Sequence, residues 1–488
     1  MSQRHWLIVI ITVVFVFGSI SCSDDRPTAP AGQTATGAGL VDPQLIAMEI
    51  VAKSGWVVEN EDGMSLAPDA IPEGPGLVQL VDRQPIVGDV VHYTYQIQVD
   101  VGPYDVIGLH RVVGEPTEGQ PTRSQKSVML LHGANAAFNP VFLAGAYSDA
   151  APDYQACAVY LAQNGVDVWG IDERWVSIPQ GVADFSFMSD WGVEQEIADL
   201  ETAFSAAREA RRLTGNGNLK MHFLGYSRGA TAGYAYMNHE AQLPPGQRQV
   251  AGFIPVEGQM KTDNPDFVEA RCQSAANFES MYNSGVYQEE TGVLALTLWY
   301  LAMVDPDGIS PIFPPFTNYQ VPLFLGANTW YLAGPGSPPW YHFVAGIPGQ
   351  GGIPSDLIYT SIDLWFDFLG MWYPYEPILR DWELEAAGCD AIDTPYDDYF
   401  GDITVPVFYV GVAGGLGAYG VYNTTLLGSS DVSAHIVSFQ PPENALIDFG
   451  HVDMFTSAVG EQEVWHPILT WIENHSHPSD LQRQRPTG

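Results

Sequence analysis

The pentapeptide Gly225-Tyr226-Ser227-Arg228-Gly229 follows the apolar run Met221 to Leu224 and precedes the small-residue stretch Ala230 to Tyr236. This order predicts a strand, a sharp turn and a helix, with the serine at the apex. A turn so tight forces the serine backbone into a strained conformation that only small neighbours permit. Gly225 and Gly229 supply that room. The hydroxyl then stands at a helix N-terminus, where backbone N–H groups and the helix dipole favour the negative charge that develops during acyl transfer. The pattern points to a nucleophilic serine.

Other pieces fall into order around it. Upstream, Ser127-Val128-Met129-Leu130-Leu131 is a buried-strand run ending in His132-Gly133-Ala134. Downstream, His435 to Phe439 predicts a short strand, followed by Asp448-Phe449-Gly450-His451-Val452-Asp453-Met454-Phe455. His451, after the last strand, is the candidate general base, and Asp453 is expected to anchor its loop. His222 lies inside the strand before the serine, whereas His435, His466, His475 and His477 read as surface or strand-edge residues. The acid is the harder assignment. The strand expected over Val405 to Val410 is followed by Gly411-Val412-Ala413-Gly414-Gly415-Leu416-Gly417, which has no carboxylate. Glu257, closing the strand run Val250 to Val256, is the acid adopted here. Asp431, which would need an unusual loop path, is the alternative.

At these positions the chain resembles the α/β-hydrolase superfamily and, within it, the acid-lipase-like branch. The residues that carry the likeness are Leu131-His132-Gly133-Ala134, Val166 to Gly170 ahead of Asp172-Glu173-Arg174, the Ser227 pentapeptide, and Gly450 to Phe455. The resemblance implies a mostly parallel, doubly wound α/β sheet with a large inserted helical cap. It also implies roles: Ser227 as nucleophile, His451 as base, Glu257 as its orienting acid, and the N–H groups of Ala134 and Arg228 as the oxyanion hole. The chain departs from the branch at the missing acid after Val410.

Between Glu257 and Asp402 the composition shifts to aromatics and prolines with few charges, including Trp299-Tyr300, Trp330-Tyr331, Trp340-Tyr341, Trp365-Phe366 and Trp372-Tyr373. Inserted after the nucleophile half of the sheet, this segment should lie over the C-terminal strand ends and wall a substrate pocket. The expected organisation is a signal peptide over 1–22, a flexible tether over 23–42, core over 43–258, cap insertion over 259–401 and core again over 402–488. Within the core, His92 to Val99 and Tyr104 to Val113 predict an antiparallel pair. A helix over Tyr154 to Asn164, a strand over Gly165 to Ile171, a helix over Gly192 to Leu213 and a strand over Lys220 to Leu224 then alternate as a doubly wound sheet requires.

Arg4 and His5 precede the apolar run Trp6 to Phe17, and Gly18-Ser19-Ile20-Ser21-Cys22 follows. That resembles a bacterial lipoprotein signal with Cys22 lipidated, which would place the chain in the cell envelope; simple secretion is the alternative. Export permits a disulfide, and Cys272 with Cys389 flanks the insertion, while Cys157 reads as a buried thiol. The net charge of −38 argues against nucleic acid and anionic membrane partners. Any membrane contact is expected only through Cys22. No metal-ligand spacing occurs, and the chemistry calls for no cofactor. The expected function is hydrolysis of hydrophobic carboxylic esters. Serine peptidase or amidase activity, and a non-catalytic binding protein of the same fold, are the alternatives.

Overall fold

The apolar runs of the sequence become the middle of one large sheet. The computed structural model describes residues 41–58 and 75–476, so the signal segment, Cys22, His477 and most of the tether lie outside the described residues. The strands are β1 (Val78–Val87), β2 (Val90–Gln98), β3 (Val106–Gly114), β4 (Ser127–Leu131), β5 (Asp167–Asp172), β6 (Met221–Tyr226), β7 (Val250–Val256), β8 (Val407–Val412) and β9 (Val432–Val437). They form a 9-stranded sheet in the order β1-β2-β3-β5-β4-β6-β7-β8-β9. The pairs from β5 to β9 are parallel, and those from β1 to β5 antiparallel. Every residue of β4, β6 and β8 is buried, as strands covered by helices on both faces require.

Helices flank the sheet: α1 (Cys157–Gln163), α2 (Val193–Leu213) and α3 (Arg228–Gln242) before the insertion. α1 starts three residues later than the sequence suggested, because the N–H of Gln155 turns back to the carbonyl of Pro152. β8 likewise starts at Val407 rather than Val405. Pro406 has no N–H to give a ladder, although its carbonyl accepts from Phe253. β1 was not anticipated. It is a polar edge strand containing Pro85, which an edge tolerates and a central strand would not.

Between β7 and β8 the chain builds α4 (Pro265–Asn283), α5 (Thr291–Val304), α6 (Ile362–Gly370) and α7 (Ile378–Ala387), with two short two-stranded ladders. α7 is buried along its whole length between α4 and α2, although it carries Arg380, Asp381, Glu383 and Glu385. The bond between Cys272 on α4 and Cys389 just beyond α7 closes the insertion at its base, with the two Cα atoms 4.7 Å apart. Cys157 is a buried free thiol whose pKa burial pushes up. The last helix among the described residues, after β9, is α8 (His466–Asn474). Among the described residues no helix is long and apolar enough to cross a membrane.

Candidate active site

Strand β6 ends at Tyr226 and α3 begins at Arg228, so Ser227 alone makes the turn, at φ 57° and ψ −124°. The pentapeptide glycines are there for space. A Cβ on Gly225 would lie 2.3 Å from the carbonyl oxygen of Gly229, and one on Gly229 would lie 2.1 Å from that of His132. The turn is pinned to the sheet by the N–H of Ser227, which donates to the carbonyl of Val256 at 2.8 Å.

The loop after β4 lies directly against the serine. A Cβ on Gly133 would meet the Ser227 Cβ at 2.8 Å. Among the described residues no acceptor is placed for the N–H of Ala134 or of Arg228, whereas the N–H of Asn135 is taken by the Glu376 carboxylate at 2.9 Å. Asn135, Ser227 and Glu257 are the non-glycine residues with positive φ among the described residues. Each such backbone costs about 1 to 3 kcal/mol, and all three fall in this one site.

His451 follows Gly450 in the loop beyond β9. Its ring stacks on Tyr226, the residue before the serine, with centroids 4.8 Å apart, and its carbonyl accepts the Tyr226 hydroxyl at 2.9 Å. From the insertion, Tyr341 and Phe343 approach the same ring with centroids at 5.4 and 6.0 Å. Nδ1 lies 3.1 Å from Oε2 of Glu257. A carboxylate can only accept, so Nδ1 is the donor in this contact, and in the neutral ring Nε2 is then the nitrogen that carries the lone pair.

The Glu257 carboxylate is buried and held by the glycine-rich loop that lacks an acid of its own. Oε1 accepts the N–H groups of Val412 at 2.8 Å and Gly417 at 2.9 Å, and Oε2 accepts that of Leu416 at 2.8 Å. Gly415 must be glycine, because a Cβ there would lie 2.0 Å from Oε2. The loop after β8 thus supplies donors where the family resemblance led us to expect a carboxylate.

The alternative acid is elsewhere. Asp431 sits at the N-terminal end of β9, at the opposite end of the parallel strands from Glu257, with its side chain 61% exposed and paired to His475 at 3.3 Å. Asp453 anchors the histidine loop: Oδ2 accepts the N–H groups of Ala345 and Gly450, and Oδ1 the Thr360 hydroxyl. Burial raises its pKa against the pull of those bonds. His222 is buried in β6 and bonded to Ser476, away from the turn.

Sequence reasoning missed the acids of the insertion. The Arg228 guanidinium, one residue from the serine, pairs with Glu385 at 3.0 Å and Asp381 at 3.8 Å on α7. Arg380 on the same helix joins Glu173, Glu376 and Asp381 within 3.0 Å. Charges inside an aromatic, proline-rich stretch were the available signal. Among the described residues no group of His, Cys, Asp and Glu is arranged to hold a metal ion.

Solved structures share this architecture. A candidate lipase from Sulfolobus solfataricus superposes over 81% of this chain and 99% of its own, with a TM-score of 0.57 and 21% identity. A soluble variant of monoglyceride lipase from Saccharomyces cerevisiae covers 85% of this chain and 100% of its own at 12% identity, and an esterase from Thermogutta terrifontis 79% and 99% at 14%. Their TM-scores, 0.42 and 0.36, are too low to carry an argument. The Sulfolobus likeness is one of fold. No protein-family model and no curated protein matches the sequence.

Proposed function

Proceeding from the α/β-hydrolase fold of the chain, we propose that it is a serine esterase acting on hydrophobic carboxylic esters. Ser227 attacks the ester carbonyl, Nε2 of His451 takes the hydroxyl proton, and the N–H groups of Ala134 and Arg228 receive the oxyanion. Collapse of the tetrahedral intermediate expels the alcohol, which takes the proton back from His451. Water activated by the same imidazole then releases the acid. Glu257 holds His451 in the tautomer that accepts at Nε2 and stabilises the imidazolium.

The observation that carries this reading is the contact between His451 Nδ1 and Glu257 Oε2, made by a ring stacked on the residue before a serine with positive φ. Support for an apolar ester comes from the insertion. Not one Asp, Glu, Lys or Arg occurs from Gly308 to Ser355, the stretch that brings Tyr341 and Phe343 to the histidine. Such a wall offers no counter-charge to a peptide terminus. The signal-like residues through Cys22 support an exported, lipidated enzyme, which Cys22→Ser would release from a palmitate-labelled membrane fraction.

The test is a fluorophosphonate probe on the mature chain beside Ser227→Ala and His451→Ala, with p-nitrophenyl esters of increasing acyl length as substrates. Labelling and turnover that both vanish in Ser227→Ala bear the reading out. A folded wild type that neither labels nor turns over would leave a binding protein in a hydrolase's shape.

A further inference from the structure

We propose that Glu376, a residue of the insertion, is a positioning residue for the oxyanion hole; the inference rests on the hydrolase reading above. Asn135 directly follows Ala134 and is held from both sides. Its N–H donates to Oε1 of Glu376 at 2.9 Å, and its carbonyl accepts the N–H of Tyr373 at 2.8 Å. With φ at 51°, Asn135 occupies a backbone region that a residue with a Cβ leaves readily when nothing constrains it. Released, it would turn the peptide unit between Ala134 and Asn135 and shift the Cα of Ala134, which also bears the Ala134 N–H. The clamp therefore sets the direction of the Ala134 N–H without touching substrate.

The other donor is tied to the same segment. Arg228 contributes its backbone N–H to the hole, while its guanidinium is anchored by Glu385 and Asp381, less than three helical turns beyond Glu376. The segment itself is immobilised. Glu376 is 2% exposed and balanced by Arg380 at 3.0 Å, and Arg380 also reaches Glu173 at 2.7 Å, just past β5. The insertion and the two oxyanion donors are thus one connected unit. A hole held in advance is what gives such donors their effect, since they need no rearrangement as charge develops.

The experiment compares Glu376→Ala, Glu376→Gln and Glu376→Asp with wild type and Ser227→Ala, reading kcat and KM on a p-nitrophenyl ester and affinity for an aryl trifluoromethyl ketone. Glu376→Ala should lower kcat about 10- to 100-fold, less than the loss of an oxyanion donor outright. KM should move less than about threefold, and ketone affinity should fall in step with kcat. Glu376→Gln keeps an acceptor oxygen for Asn135 and should recover most of that loss. Glu376→Asp, which keeps the charge beside Arg380 but draws the acceptor back by one methylene, should resemble Glu376→Ala, and it carries the test if Glu376→Ala does not fold. A folded Glu376→Ala, or in its place Glu376→Asp, with wild-type kcat and ketone affinity would overturn the proposal, as would a Glu376→Gln no better than Glu376→Ala. Turnover that survives in Ser227→Ala would instead overturn the hydrolase reading.

Discussion

Oε2 of Glu257 and Nδ1 of His451 stand 3.1 Å apart, although 194 positions separate the two residues in the chain. The carboxylate reaches the imidazole from the end of β7, and the last residue of β8 together with the loop beyond it closes over it with three backbone N–H groups. An acid carried on that loop would point across the sheet edge to the histidine. Here the loop has become a cradle, and its glycines let the backbone come close enough to donate.

Glu257→Gln should therefore fail twice. Both carboxylate oxygens accept backbone N–H groups, so either orientation of the amide sets its NH2 against a donor, a loss of about 1 to 3 kcal/mol. The amide also no longer fixes the tautomer of His451, and kcat should fall on the order of 10⁴-fold with KM little changed. Asp431→Asn, at the opposite end of the strands, should leave both constants as they are. Steady-state kinetics on one ester checks the pair, and an equal fall in the two variants would count against the assignment.

Gly415→Ala tests the cradle itself. The new Cβ would lie 2.0 Å from Oε2 of Glu257 and 2.8 Å from its Cδ, so the carboxylate must shift or the loop must open. Overpacking of this kind costs about 1 to 3 kcal/mol, and turnover should drop at least about 10²-fold because the imidazole loses its partner. Gly246→Ala, where a Cβ meets nothing within 4 Å, is the control. Comparing urea midpoints and kcat for the two separates the local effect from a general one.

How much of this was legible beforehand follows from what each feature depends on. The serine turn and the strand before it are local, and the apolar run with its flanking glycines specified both. Glu257 was chosen by elimination, because the glycine-rich loop after β8 offered no acid; that the same loop would hold Glu257 by its N–H groups needed the third dimension. β1 escaped because its alternation is polar and interrupted by Pro85. The ion pairs of Arg228 with the acids of α7, and of Arg380 with Glu173 beyond β5, escaped for a different reason. They join residues more than a hundred positions apart in the cases of Glu385 and Glu173, and nothing in local pattern marks such partners.

The Cys272–Cys389 bond spans 117 residues of sequence. Chain-entropy reasoning gives a link of that length about 4 to 5 kcal/mol at most, with about 2 to 4 commonly realised. The paired variant Cys272→Ser/Cys389→Ser should unfold at a lower urea concentration and show no further change with reductant, while the wild type with reductant should converge on the variant. Identical midpoints in all cases would mean that the packing of α4 on α7 holds the insertion unaided.

Glu383 on α7 gives the docking of the insertion a dependence on pH. Its Oε2 accepts the N–H of Val193, the first residue of α2, at 2.6 Å. Burial pushes its pKa up to about 7, against the opposing bonds from Val193 and Tyr396 and with a small further push from Glu194. Below the unfolded value near 4.5 the group is protonated in both states, and the stabilisation of the neutral form is complete. As pH rises from there towards about 7 the unfolded chain releases its proton while the folded one keeps it. Stability is therefore lost across that window, by about 3 kcal/mol in total. Glu289, half-buried and also raised to about 7 by burial, adds a smaller contribution of the same sign. Glu383→Gln keeps an oxygen for Val193 and removes the titration, so it should flatten this part of the profile and exceed the wild type in stability at pH 8. Urea denaturation at pH 5 and pH 8 reads both, and parallel profiles for the two proteins would show that Glu383 stays ionised in the folded chain.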